Sequence, residues 1–412
     1  MDLRPRGYDK VVRLIERGVT VPNPFTLDIG DEVDVDRIAG DGVVLYPGTR
    51  IYGAKTVISA GVKLGAEGPV TIDDCGLGPK VELKGGYFKR SVFLEKANMG
   101  LGAQVREGCL LEEEANGAHC VGLKQTILFP FVTLGSLINF CDCLMAGGTS
   151  RKDHSEVGSS YIHFNYTPDG DKTTASLFGD VPRGVMLDQP PIFLGGEGGA
   201  VGPVRLGFGT VVAAGSVLRH DVVDDGRLVA AGSPPGFVRE RRSHAYKNLS
   251  RVVRNNVVYL ANLVALEQWY VHVRASFFAK QEMGVLVYES ALDVLASAKD
   301  ERAKRLIAMA GKMPADEPAC REFADRVEQV CGVFSGAAGE AAGESAAAER
   351  EQFLEAFAAG AVSSAEGYAD TVQALTPDIR ALGVEWLRQV VDGLCGRADA
   401  LLPAVDLFGG NR

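Results

Sequence analysis

The chain has 412 residues, with 43 Lys and Arg against 53 Asp and Glu and a net charge of −10. That acidic balance argues against a general nucleic-acid binder, which uses a basic face, and no apolar run approaches the roughly 20 residues of a membrane helix. The eight cysteines are scattered without the paired spacing of a zinc site, so no metal and no disulfide frame are expected, and a reducing cytoplasm is the default setting.

Residues 1–40 form a lead segment whose opening, MDLRPRGYDKVVRLIERG, is charged and lacks the apolar core of a secretory signal. From residue 41 glycine sets the pattern. Most of the 50 glycines fall before residue 240, and turns at that density point to a repeat. The period is six. Leu45 and Ile51 are one step apart, and Ile58, Leu64 and Val70 resume after a slipped residue. Met99, Val105, Leu111, Gly117 and Leu123 hold register, as do Leu206, Val212 and Leu218. An α-helix repeats its faces every 3.6 residues and cannot carry this pattern. A coil with flat sides can, because each short strand sends one aliphatic side chain inward and then turns a corner. The expected fold over 41–238 is a β-helix of hexapeptide repeats; a β-sandwich would alternate at two with irregular spacing.

Two features of this span suggest binding chemistry. Arg106 and Lys124 lie 18 residues apart, three hexads, and so on one face one coil apart. Two cations stacked about 5 Å apart repel unless something anionic sits between them. That anion is a ligand, or else Glu107, Glu112 and Glu113 neutralise the pair. Further on, the repeat stops at YIHFNYTPDGDKTTASLFGD, residues 161–180. An irregular loop on a rigid scaffold is where binding residues gather. Asn165 offers a donor and an acceptor, Tyr166 a hydroxyl and Lys172 a point charge, whereas Asp169 and Gly170 are turn formers.

At residue 239 the glycine corners end and a period of 3.6 begins, giving a helical domain over 239–412. Val253, Val257, Leu260 and Val264 mark an amphipathic helix, and further helices are expected across 285–312, 317–333, 345–360 and 365–400. SGAAGEAAGESAAAE, 335–349, is a loose connection running into an Ala-rich helix, and Trp269 and Trp386 are expected in the core.

Three segments together resemble the left-handed β-helix acetyltransferase half of GlmU, the bifunctional glucosamine-1-phosphate acetyltransferase and N-acetylglucosamine-1-phosphate uridylyltransferase. They are VREGCLLEEEANGAHCVGLK (105–124), IHFNYTPDGDKT (162–173) and FLGGEGGAVGPVRLGFGTVVAAGSVLRHDV (193–222). The resemblance spans about residues 40–238. It implies a left-handed parallel β-helix, a homotrimer with its sites between subunits, acetyl-CoA as cosubstrate, and a sugar phosphate or nucleotide sugar related to UDP-N-acetylglucosamine as the other substrate. By the same resemblance Arg106, Lys124, Asn165, Tyr166 and Lys172 hold the acceptor. Gly195, Gly196, Ala213, Ala214 and Gly215 border the pantetheine arm, and Arg219 and His220 meet the CoA phosphates. Small residues such as Ala213 would equally serve to pack a corner.

The sequence departs from that pattern in three places. Acyl transfer to an amine needs a base for the amine proton. Where the family has a histidine, VTLGSLINFCDC (132–143) offers Ser136 or Leu137. His163 and His154 are the candidate replacements, with His119 also nearby. His163 alternates with Asn165 and is expected on the same side. His154, beside Asp153 and Glu156, is either a base held by a carboxylate or a surface residue. Second, only about 40 residues precede the first coils and they hold no Gly-rich phosphate loop, so uridylyl transfer is not expected. Third, the helical domain has no counterpart in the resemblance. Two readings follow: an acyl-CoA-dependent acyltransferase, or a non-catalytic sugar-nucleotide-binding or scaffold β-helix whose helical domain binds a protein partner.

Overall fold

The computed structural model describes residues 4–165, 172–233, 235–238, 240, 248–314, 316–336, 346–360 and 367–409. Helix α1 (Tyr8–Glu16) buries Val11 and Leu14 beside the first strand, Asp28–Ile29. The chain then winds into a parallel β-solenoid of about 11 turns. The column has three faces. The first is a ten-stranded parallel sheet running from Val44–Leu45 to Leu228–Val229. The second and third belong to one 16-stranded sheet, because the long strands Gly122–Leu128 and Asn139–Met145 turn the corner and pair on both sides of it.

The six-residue period is the inward column. Met99, Val105, Leu111 and Leu123 are buried, on successive faces, with Gly117 among them. On the second face Ile51, Ile72, Phe88, Val105, Leu123 and Phe140 stack in register, one per coil. One step differs from the sequence reading. Ile72, not Val70, lies in register with Ile51; two extra residues after Leu64 are absorbed in a wider turn.

The third face is apolar on both sides. Its outward residues Val57, Val92, Leu110, Ile127, Leu144 and Leu177 are buried as fully as the inward ones. Helices cover them. The helical region follows the solenoid as eight helical segments among the described residues. They include α3 (Leu249–Trp269), α4 (Ala275–Phe278), α5 (Gly284–Ala310), α6 (Pro318–Gly332), α7 (Ala347–Gly360), α8 (Tyr368–Gln373) and α9 (Pro377–Ala400); a four-residue helix, α2 (Val181–Gly184), precedes them within the solenoid. α5 lies on the third face against strands Gly76–Leu77, Ser91–Phe93 and Cys109–Leu111, and α3 against Ser176–Phe178. Each such side chain taken from water contributes about 1.5–3 kcal/mol.

Two helical expectations change in detail. α3 carries its apolar stripe at Val253, Val257, Leu260 and Val264, but Asn255, Asn256 and Asn262 are buried too. The helix is wedged between the solenoid and α9, and these amides stitch it down. Asn255 donates to Asp221, Asn256 to the Thr173 carbonyl, and Asn262 accepts from the Val181 N–H. The single helix expected over 365–400 is two, parted at Thr376-Pro377, where the proline opens α9 and the Thr376 hydroxyl accepts from the Ile379 N–H. Trp269 and Trp386 are fully buried around Phe353. Much of the 335–349 connection falls outside the described residues.

Candidate functional site

Three faces make three edges, and the edges sort the candidate residues. Edge one, where the first face turns into the second, is a ladder of small residues. Ala118, Gly135, Gly158, Gly195 and Ala213 follow one another, each N–H bonded to the strand of the next coil. The outer row beside them runs His119, Ser136, Ser159, Gly196, Ala214. Two glycines of the ladder are required by the coil spacing itself, since a Cβ at Gly195 would lie 2.4 Å from the Ala214 nitrogen and one at Gly158 2.4 Å from the Gly196 nitrogen. Halfway along, the exposed His119 places Nδ1 2.8 Å from the Ser136 hydroxyl. The imidazole of one coil therefore reaches the corner position of the next, the position where the sequence offers serine in place of histidine.

Edge two, where the second face turns into the third, is the charged one. Its outward row holds Asp73, Lys89, Arg106 and Lys124, stacked by the pairing that sets Val105 beside Leu123. Arg106 and Lys124 are thus one coil apart. Glu107 lies between them, 2.7 Å from the Lys124 ammonium and 3.9 Å from the Arg106 guanidinium. Burial raises the Glu107 pKa, but its bond to Lys124, its own backbone N–H and the Arg106 charge outweigh this and hold it below the usual carboxylate range. Most of the repulsion expected between the two cations is relieved there. Arg106 stays 58% exposed, free to meet an anion from solvent.

The stretch that interrupts the repeat starts from the same edge. Asn165 and Lys172 are exposed at its two ends, and Tyr166 lies outside the described residues, 166–171 being omitted. Arg302 of α5 clamps the loop base. It bonds Asp142 at 2.7 Å and the Lys172 carbonyl at 3.2 Å, while Asp142 accepts from Thr174. Arg219 stands two coils further along edge two and donates to the Val217 carbonyl, with His220 exposed beside it. The residues assigned to the acyl donor are therefore divided, with Gly195, Gly196, Ala213 and Ala214 on edge one and Arg219 and His220 on edge two.

Neither replacement base is well placed. His163 does not share a side with the exposed Asn165. The strand pairs Asn139 with Ile162, so the next residue enters the inward column, where His163 packs edge-on to Phe140 and bonds the Ser176 hydroxyl at 2.7 Å. Burial pushes its pKa down to about 4, so it is a neutral core residue at pH 7. His154 is on edge three, in the hairpin Gly148–Ser150 and Asp153–His154, and its Nδ1 lies 3.0 Å from the Arg151 carbonyl rather than against a carboxylate. Asp153 accepts from Thr149 instead.

A second buried cluster, unmarked in the sequence reading, joins helices to column. A π turn, Tyr270–Arg274, continues α3 and presents Tyr270 to Glu112 at 2.6 Å and Arg274 to both oxygens of Glu113, at 2.5 and 3.1 Å. Glu112 and Glu113, weighed above as neutralisers of Arg106 and Lys124, face the helices instead. A signal for this existed in CLLEEE, where the hexad pattern puts an acid directly after two apolar residues. Among the described residues no three His, Cys, Asp or Glu side chains gather to hold a metal, and no helix is long and apolar enough to cross a membrane.

No family model matches the chain. It is 28% identical over 214 residues to the bifunctional protein GlmU of Thermotoga maritima, an alignment that covers 52% of this chain and 42% of that protein. Against the GlmU of Carboxydothermus hydrogenoformans it is 27% identical over 221 residues, 54% of this chain and 44% of the relative. For Nitratidesulfovibrio vulgaris strain DP4 the figures are 27% over 239 residues, 57% and 46%. The chain spans less than half the length of these relatives. About half of it is a parallel β-solenoid similar in sequence to GlmU.

Proposed function

We propose that the chain is an acyl-CoA-dependent acyltransferase, an N-acetyltransferase acting on an amino-sugar phosphate or nucleotide sugar related to UDP-N-acetylglucosamine. The observation that carries this reading is edge two: Arg106 and Lys124 one coil apart, with Asn165 and Lys172 where the loop leaves the same edge. Cations stacked on a stiff column suit a phosphate, through charge-assisted bonds of about 1.5–3 kcal/mol each. The amine of the acceptor attacks the thioester carbonyl, the C–S bond breaks, and CoA leaves as its thiol. The amine proton needs a base. His119 fits, because it is exposed and Ser136 holds its ring. With Nδ1–H donating to the serine oxygen, Nε2 keeps the lone pair that a base requires.

The division of the donor residues supports a homotrimer. Along one chain the small row of edge one and Arg219 are separated by the width of the second face, about 15 Å at 3.3 Å per residue. They meet when edge two of one copy approaches edge one of another. The experiment is release of CoA thiol from acetyl-CoA in the presence of glucosamine 1-phosphate, with binding of UDP-N-acetylglucosamine measured in parallel. Turnover establishes the transferase. Binding of the sugar compound without thiol release supports the second reading, a non-catalytic sugar-nucleotide binder, which is favoured by Ser136 at the corner and by His163 sealed in the core.

A further inference from the structure

On the third face the outward row is apolar as far as Leu177, and there its chemistry changes. The next coil puts Arg205 in the row, paired with Leu177, and the last puts Asp221, because Leu206 bridges to Val222. The first turns of α3 meet this end of the column and add Arg251 and Arg254. Three guanidiniums thus gather round one carboxylate. None of these four residues has a part in the reading above.

The carboxylate does not satisfy them. Asp221 Oδ1 is taken by neutral donors, the Asn255 amide at 2.9 Å and the Arg205 backbone N–H at 3.1 Å. Oδ2 is 3.3 Å from Arg254 and 3.9 Å from Arg205, and Arg251 stands 3.8 Å from Oδ1. A bonded guanidinium and carboxylate close to about 2.7–2.9 Å, as Arg302 and Asp142 do at 2.7 Å. Arg251 makes its short bond to the Pro203 carbonyl instead, at 2.6 Å. Among the described residues no second carboxylate lies within 4 Å of any of the three arginines. Two positive charges are therefore in excess. The start of α3 adds to them, since a helix N-terminus is the positive end of its dipole and favours acids in the first turn. α3 has no acid there and no side-chain cap, and Arg251 falls within that turn. Burial lowers the Arg205 pKa; Asp221 opposes this and Arg254 adds to it. The side chains of Arg205, Arg251 and Arg254 keep 24%, 25% and 31% of their surface, so solvent reaches all three.

We propose that the last coils of the third face and the first turns of α3 form a site for a phosphate-class dianion, free or carried by a small metabolite, which fastens α3 to the column. Two negative charges balance the two in excess, and guanidinium forks match the oxygens of a phosphoryl group. The site joins the helical layer to the solenoid, so its occupant links a ligand concentration to the docking of that layer. It does not depend on the transferase reading.

For the test, edge two is first silenced by Arg106→Ala, and inorganic phosphate is titrated into that full-length chain against chloride at matched ionic strength. The melting temperature should rise and saturate, and calorimetry should give the dissociation constant. Adding Arg254→Gln should weaken that constant at least tenfold while ligand-free melting holds, because one of three like charges is gone. Asp221→Asn keeps an acceptor for Asn255 and should tighten phosphate about tenfold, whereas a purely structural cluster would leave phosphate without effect in every variant. Excess acetyl-CoA should not alter the constant. Glycerol 3-phosphate separates the two sources: equal or weaker binding assigns the free dianion, and tighter binding assigns a phosphorylated metabolite. The absence of a saturable rise, or a rise that Arg254→Gln leaves unchanged, overturns the site. Displacement of phosphate by acetyl-CoA gives the cluster to the acyl donor and overturns it as well.

Discussion

Arg274 is 1% exposed and is boxed in by aromatic rings, with the Tyr368 centroid 3.7 Å from its guanidinium carbon. Glu113 takes its charge in a two-point bond. One carboxylate neutralises one guanidinium, so Glu112 is the surplus acid. Burial raises its pKa; Arg274 opposes this and Glu113 adds to it, leaving it pushed up to about 7. The folded value stands above the unfolded one, so the protonated carboxyl stabilises the fold at low pH and that contribution is lost as pH rises from about 4.5 through 7. At about 1.4 kcal/mol per unit, urea unfolding should show a loss of roughly 1–3 kcal/mol from this group between pH 5 and 8. Glu112→Gln keeps an acceptor for Tyr270 and should flatten that slope. A variant as pH-dependent as the wild type would mean Arg274 holds both acids ionised. At edge one, His119→Ala should lower acetyl transfer by about 10²- to 10⁴-fold with melting unchanged, whereas His154→Ala should leave the rate alone; equal rates in His119→Ala and wild type would remove the imidazole from the chemistry. The facing of single side chains was the least legible feature of the sequence. Alternation suggested that His163 faces outward, but facing depends on which coil residue it pairs with, and Asn139 opposite Ile162 sends the histidine inward.

The hexad strands were legible because one inward residue every six is a local property. What the third face does with its other side was not, although the signal is there in retrospect. SVF, CLL, TIL, CLM and SLF place apolar residues on both sides of a short strand, the composition of strands buried on both faces. A solenoid alone would leave the outward residues wet. They are the reason the helices lie along the column instead of forming a separate body, and α3 and α5 use them as their platform. The Arg106 and Lys124 pair was singled out by the family resemblance, and its spacing of three hexads then put both on one face, whereas the wall that α5 sets beside it required knowing where a helix some 180 residues later would dock. Leu144 is the clearest test of that docking, being fully buried between its neighbours Ile127 and Leu177. Leu144→Asp puts an unpaired carboxylate under the helices at a cost of several kcal/mol. The helical layer should release first, seen as a new low-temperature step in melting and early proteolysis beyond residue 240. A single transition lowered as a whole would show instead that column and helices unfold as one cooperative unit.

With the third face covered, assembly has the first and second faces and their edges to work with. The first face is polar along most of its length, through Lys63, Glu82, Asn98, Asn116, Thr133 and Glu156, and turns apolar at its far end with Phe193, Val211 and Leu228, paired coil to coil and exposed. A contact that sets edge two of one copy against edge one of the next uses two different surfaces, and such heterologous contacts close into rings. Three copies should form, giving a light-scattering mass three times the 43.8 kDa of the chain at micromolar concentration. The sharper test uses two damaged chains. His119→Ala loses edge one and keeps edge two, and Arg219→Glu does the reverse; each alone should be inactive as a homotrimer. In randomly mixed trimers, edge two of a His119→Ala chain meets edge one of an Arg219→Glu chain at roughly a quarter of the contacts, and activity should return to about that fraction of wild type. A mixture as inactive as its components would mean that donor and base are brought together within one chain, and the trimeric site would be lost.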